Sequence, residues 1–162
     1  MMMRLCVLPL LLMLAMPVAA APLPPWSQGY DPARDPAADG REAITLAKAS
    51  GRYVLIELGG NWCVWCRRLD HFLEANPDLR ARLHRQFVLL KVNVSAENDN
   101  ADFLAGLPRF ADFPHAFVAD DKGRIIHSQD TTEWQKNGHY SRIRFRAFLD
   151  RWRTNAQATS HR

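Results

Sequence analysis

Cys63-Val64-Trp65-Cys66 stands where a short apolar run gives way to a helical pattern. Upstream, Tyr53-Val54-Leu55-Ile56-Glu57-Leu58 is apolar and partly β-branched, as expected of a strand buried on both faces, and Gly59-Gly60 ends it. From Cys63 to Leu73 the pattern is helical, with Leu69, Phe72 and Leu73 on one side. The first turn of a helix carries unpaired N–H groups and the positive end of the dipole, and both stabilise a thiolate. A cysteine placed there can fall from a pKa of about 8.5 to roughly 3.5–7.5. The i, i+3 spacing brings both sulfurs to one side of the turn, close enough to bond. Cys63 is predicted as the exposed nucleophile and Cys66 as the resolving thiol.

Other uses of the pair are weaker. Zinc takes four ligands, and there is no second C-x-x-C; His71 and His115 fit no familiar spacing. As a structural staple the pair closes a tiny loop, which removes little chain entropy from the unfolded state. Of the 3 cysteines, Cys6 lies in a leader: Arg4, an apolar stretch Leu5–Met16, and small residues Val18-Ala19-Ala20 read as a signal peptide over 1–20. An uncleaved anchor is the alternative, disfavoured by the short run and by Pro9 and Pro17. Cleavage leaves only Cys63 and Cys66, places the chain in the periplasm or outside the cell, and leaves no stable membrane insertion. Net charge falls from +4 to +3 with Arg4, and the remaining charges are mixed. No clustered basic face is plain, which argues against nucleic acid as a partner.

Along the mature chain, Pro22, Pro24, Pro25, Pro32 and Pro36 predict an extended, non-helical arm over 21–40, with Trp26 and Tyr30 pinning it to the surface. A domain over 41–154 and a polar tail over 155–162 follow. Within the domain, Asp39 is expected to cap a helix over 41–50 that ends at Gly51. Asn76-Pro77 opens a helix to about His84, Phe87–Val94 is a second strand, and Ala101–Leu107 is a short helix. His115–Ala119 and Arg124–His127 are strands joined by Asp120-Asp121-Lys122-Gly123. Residues 128–139 read as irregular, and Tyr140–Trp152 as a helix with Ile143, Phe145, Phe148, Leu149 and Trp152 on its apolar face. The order implies an α/β fold: a mixed central sheet with two parallel strands, an antiparallel hairpin, and helices on both faces.

Three features resemble the thioredoxin family over Arg41 to Trp152: Trp62-Cys63-Val64-Trp65-Cys66, Glu57 six residues before Cys63, and Pro114 ahead of the strand His115–Ala119 and the turn with Gly123. The chain is more similar to exported thioredoxin-like domains, such as the periplasmic end of the membrane electron-transporting reductase, than to cytosolic thioredoxin. The resemblance implies a thioredoxin-like fold and two-thiol chemistry with no cofactor and no metal. The implied partners are protein disulfides or dithiols and a redox partner protein. It gives Glu57 the place of a buried acid whose pKa rises on desolvation and which exchanges a proton with Cys66 through water. The bland reading is a strand-end carboxylate reaching solvent. Pro114 would be cis, offering the Phe113 carbonyl to a substrate peptide and keeping a metal from the site; Pro108 is the rival. Trp62 would cover the sulfurs and share the partner surface with Trp65 and Phe113, or would simply be core.

Departures bear on the direction of electron flow. Val64-Trp65 replaces the usual central dipeptides, and no histidine lies between the cysteines, which leans towards a reductant or general exchanger. Phe113 stands where the family commonly has Thr, Ile or Val. The expected function is that of a monomeric thiol-disulfide oxidoreductase of the protein-disulfide reductase type. The reading from another class is a non-catalytic thioredoxin-fold module that binds a peptide or a metal.

Overall fold

The strand that leads to the cysteines lies inside the sheet. β1 (Tyr53–Gly59) pairs in parallel with β2 (Phe87–Asn93) and antiparallel with β3 (His115–Ala119), which explains its apolar run. β4 (Ile125–Asp130) extends the sheet antiparallel to β3, giving the order β2-β1-β3-β4. The computed structural model describes residues 22–153, so the expected signal peptide and polar tail lie outside the described residues.

Helices cover both faces. Five connect or precede the strands: α1 (Pro25–Gln28), α2 (Pro36–Ser50), α3 (Val64–Glu74), α4 (Pro77–Gln86) and α5 (Ala101–Ala105). A sixth, α6 (Arg142–Arg151), closes the described chain. On one face Leu55, Leu89, Ala116 and Val118 pack against Leu69 and Leu73 of α3, Leu79 and Leu83 of α4, and Phe145, Phe148 and Leu149 of α6. On the other, Val54, Ile56, Val88, Leu90 and Phe117 pack against Trp26 of α1 and Ala43 and Ala47 of α2. Successive strand residues alternate between the two cores, the period that a pleated strand imposes. This is the expected α/β mixed sheet.

Residues 22–40 correct the expectation of an extended arm over 21–40. Pro25 and Pro36 each stand in the first turn of a helix, where a missing N–H is no loss and the fixed φ already suits the helix. α2 therefore starts at Pro36. Its cap is Asp35, whose carboxylate accepts the Ala37 N–H at 2.9 Å, and not Asp39. Asp39 is inside the helix, paired with the Arg34 guanidinium (Nε to Oδ2, 2.7 Å). Trp26 and Tyr30 do more than pin a surface strap: both are buried.

Residues 128–139 are also more ordered than expected. β4 runs on to Asp130, a 3-10 turn spans Thr131–Trp134, and β5 (Gln135–Lys136) pairs with β6 (His139–Tyr140). Asn137 and Gly138 link them at φ 52° and 74°, the left-handed pair that suits a two-residue hairpin. On α6, Ile143 is 79% exposed, so the buried face is carried by Phe145, Phe148 and Leu149.

Candidate active site

β1 ends at Gly59, and Cys63 is the N-cap residue of α3. The Cys66 backbone N–H donates to Cys63 Sγ at 3.1 Å, so the sulfur occupies the place of a capping oxygen. A disulfide joins Cys63 to Cys66, with Cα atoms 5.2 Å apart. Cys63, expected to be exposed, keeps 4% of its surface, while Cys66 keeps none; the ordering between the two is as expected, the degree is not. Packed against the pair are Tyr30 and the half-buried Trp65 and Phe113. Once reduced, Cys63 would have the Cys66 amide and the helix dipole to hold its negative charge.

Around the pair the aromatic residues take separate roles. Trp62 is 56% exposed, which excludes core packing. Its indole Nε1 donates to the Val94 carbonyl at 2.7 Å, and its ring meets Phe113 edge-on at 5.6 Å. Trp65 carries the Arg68 guanidinium 4.4 Å above its ring and meets Tyr140 edge-on at 6.2 Å. Arg67 turns back to donate to the Asn61 carbonyl at 2.6 Å. The Phe113–Pro114 peptide bond is cis. Thr131 Oγ1 donates to the Pro114 carbonyl at 2.6 Å, which ties this loop to the end of β4. Pro108 is an exposed loop residue.

Glu57 is 2% exposed and does not reach solvent as a strand-end carboxylate would. It faces Lys91, its register partner on β2, with Nζ 3.7 Å from Oε1. The Tyr30 hydroxyl donates to the same Oε1, and Lys91 also pairs with Asp70 of α3. Burial pushes the Glu57 carboxyl above the usual carboxylate range, the nearby Lys91 charge pulls it back, and the upward push prevails. Burial would lower Lys91, but the Glu57 and Asp70 charges outweigh it and hold the ammonium above its ordinary value. Tyr30 is driven well above the usual phenol range, first by burial and then by the Glu57 charge.

Cys63, Cys66, Glu57, Pro114, Trp62, Trp65 and Phe113 were the expected site residues, and they gather at the end of β1 that meets α3. Tyr30, Asp70 and Lys91 meet them through Glu57 and the disulfide, outside any motif of the sequence. Lys91 did leave a signal, as the one charge inside the apolar run Phe87–Val92. Tyr30 left none, because the segment around it reads as a linker.

Residues 35–120 match the model of a family described as thioredoxin-like. The thiol:disulfide interchange protein DsbD of Ralstonia nicotianae is 38% identical over 84 residues, which is 51% of this chain and 13% of that protein. The chain thus spans about an eighth of the length of that curated relative. Among solved structures, the disulphide isomerase from Xylella fastidiosa Temecula1 aligns at TM-score 0.64 and 23% identity, covering 82% of this chain and 98% of that one. The oxidised C-terminal domain of Neisseria meningitidis DsbD aligns at 0.55 and 18%, covering 74% and 97%. Both likenesses speak for the fold alone. With a family match across more than half its length and a sheet of this order, the chain belongs to the thioredoxin-like family.

Proposed function

We propose that the protein is an exported thiol-disulfide oxidoreductase that exchanges electrons with protein disulfides through Cys63 and Cys66. The observation that carries the reading is the bonded pair at the start of α3, with the Cys66 amide directed at Cys63 Sγ. The relative named as a thiol:disulfide interchange protein supports the same chemistry. In the reducing direction, the Cys63 thiolate attacks one sulfur of a partner disulfide, and the other partner sulfur leaves as a thiolate. Cys66 then attacks Cys63 Sγ, the mixed disulfide breaks, and two electrons have passed to the partner. A dithiol redox partner restores the reduced pair. Glu57 serves as proton acceptor for Cys66. The cis Phe113–Pro114 loop, with Trp62 and Trp65, forms the surface on which the partner polypeptide lies.

Export rests on the leader-like residues 1–20; among the described residues no helix is long and apolar enough to cross a membrane. The protein acts as a monomer, without nucleic acid. Direction leans towards reduction, since no histidine stands between the cysteines to favour a strongly oxidising pair. Cys63→Ser should abolish insulin reduction, and Cys66→Ser should trap a mixed disulfide with the natural partner, visible on a non-reducing gel. Full activity in Cys63→Ser would leave only a binding scaffold. A reduction potential near about −270 mV would fit a reductant, and one near about −120 mV an oxidant.

A further inference from the structure

Tyr30 comes from outside the sheet. The segment between α1 and α2 delivers its side chain to the end of β1, where it is 6% exposed. Its hydroxyl donates to Glu57 Oε1, and its ring lies beneath the Lys91 ammonium, 4.8 Å from the centroid. It also packs with Cys63 and Cys66 in one buried cluster. Gly59 shows how close these groups are: a Cβ there would fall 2.6 Å from Cys66 Sγ and 2.7 Å from the Tyr30 hydroxyl. Sulfur and hydroxyl therefore flank the same bare glycine, and the hydroxyl donates its own proton to the carboxylate.

We propose that Tyr30 is the proton relay between Cys66 and Glu57. The inference rests on the exchange chemistry proposed above and replaces the expected water with a side chain of the protein. In the resolving step the Cys66 S–H bond breaks, its proton goes to the Tyr30 oxygen, and the Tyr30 proton passes to Glu57 Oε1. The Cys66 electron pair forms the bond to Cys63 Sγ. The bond from Cys63 to the partner sulfur breaks, and that sulfur leaves with its electron pair and takes a proton from solvent. When the Cys63–Cys66 disulfide is next reduced, the Glu57 proton returns to Cys66 by the same route.

The surrounding groups suit this task. Among the described residues, Lys91 on β2, Asp70 on α3 and Tyr140 on β6 are the other titratable groups that act on Tyr30 and Glu57. Lys91 is held charged between the two carboxylates, so it steadies Glu57 without acting as a base. Tyr140 is pushed up to about 12 by burial and stays neutral. Tyr30 stays protonated for the same reason, which suits a group that passes a proton on and takes one back.

The test uses the reduced full chain and a chromogenic nitrobenzoate disulfide. The first release of chromophore reports attack by Cys63, and the second reports resolution by Cys66. In Tyr30→Phe the second release should slow relative to the first by on the order of a hundredfold near neutral pH, the scale of a lost general base. Its rate should then climb with hydroxide. The double variant with Glu57→Gln should be no slower than the slower single, because both remove one relay. Difluorotyrosine at position 30 keeps the shape and lowers the phenol pKa, so it should move the pH profile of the second release to lower pH. A wild-type rate and pH profile in Tyr30→Phe overturns the relay, as do multiplying defects in the double variant. Should Tyr30→Phe fail to fold, an unmoved profile in the difluorotyrosine protein overturns it alone. If the wild type shows no first release, the exchange reading itself fails and the relay falls with it.

Discussion

Glu57 shows how one residue can be both a liability and a tool. An ionised carboxyl with 2% of its surface in water loses hydration that its partners must replace. Lys91 at 3.7 Å and the Tyr30 hydroxyl replace part of it, and burial still raises the carboxyl pKa. A folded-state pKa above the unfolded one gives a contribution that is complete below the ordinary value of 4.5 and is lost as pH climbs through the higher folded value. Glu57→Gln has no such loss. The stability difference should therefore move in the variant's favour as pH rises from about 4.5 towards neutrality, read from urea denaturation across that window. Lys91 does not disturb the comparison, because its own contribution persists until pH passes its ordinary 10.5. A difference that moved towards the wild type would mean that the Lys91 pair outweighs burial. Gly59 belongs to this scale too: any side chain there would strike Cys66 Sγ and the Tyr30 hydroxyl together.

At the scale of elements, the start of α2 is the sharpest departure from the sequence reading. Prolines counted as breakers turn out to open helices, and the cap lies four residues before the expected Asp39. Asp35→Ala should lower stability by about 1 kcal/mol, and Asp35→Asn should keep most of it, because either oxygen can accept the Ala37 N–H. A neutral Asp35→Ala would assign the helix start to Pro36 alone. What was legible follows from burial. β1 and β2 are apolar runs, interrupted by Glu57 and Lys91, because both of their faces are covered, and α3 is marked by Leu69 and Leu73. Cys63 and Cys66 were legible because their spacing and their place after a strand survive without tertiary knowledge. The β5–β6 hairpin has a local signal in Asn137-Gly138, but strands of two residues each carry no alternating pattern around it. Tyr30 and Asp70 were not, since each joins the site through contacts distant in sequence. Ile143 failed for the opposite reason: helical spacing marks which residues could share a face, and packing leaves this one outside.

Across the whole molecule, the segment before α2 ties the two halves of the design together. Trp26, 2% exposed, is buried in the core on the α2 face, and its indole Nε1 donates to Glu42 at 3.1 Å. Four residues later the same segment reaches the disulfide through Tyr30. Asn61 Nδ2 holds the Tyr30 carbonyl at 3.1 Å, and Asn98 Nδ2 holds the Pro32 carbonyl at 2.9 Å. The loop before α3 and the loop after β2 thus both grip this segment. Stability and redox chemistry should be coupled through Trp26 in a way that they are not through the opposite core. Trp26→Ala should cost about 3–5 kcal/mol, as truncation of a buried tryptophan does. It should also shift the pH profile of Cys66 resolution towards that of Tyr30→Phe, because the anchor that presents the hydroxyl is loosened. Leu149→Ala, in the core on the α3 and α6 face, should cost about 2–5 kcal/mol and leave that profile in place. Denaturation curves and the two-phase chromophore assay on both variants make the comparison. Equal shifts in the two profiles would mean that general loosening, and not the Trp26–Tyr30 segment, sets the reactivity of the resolving thiol.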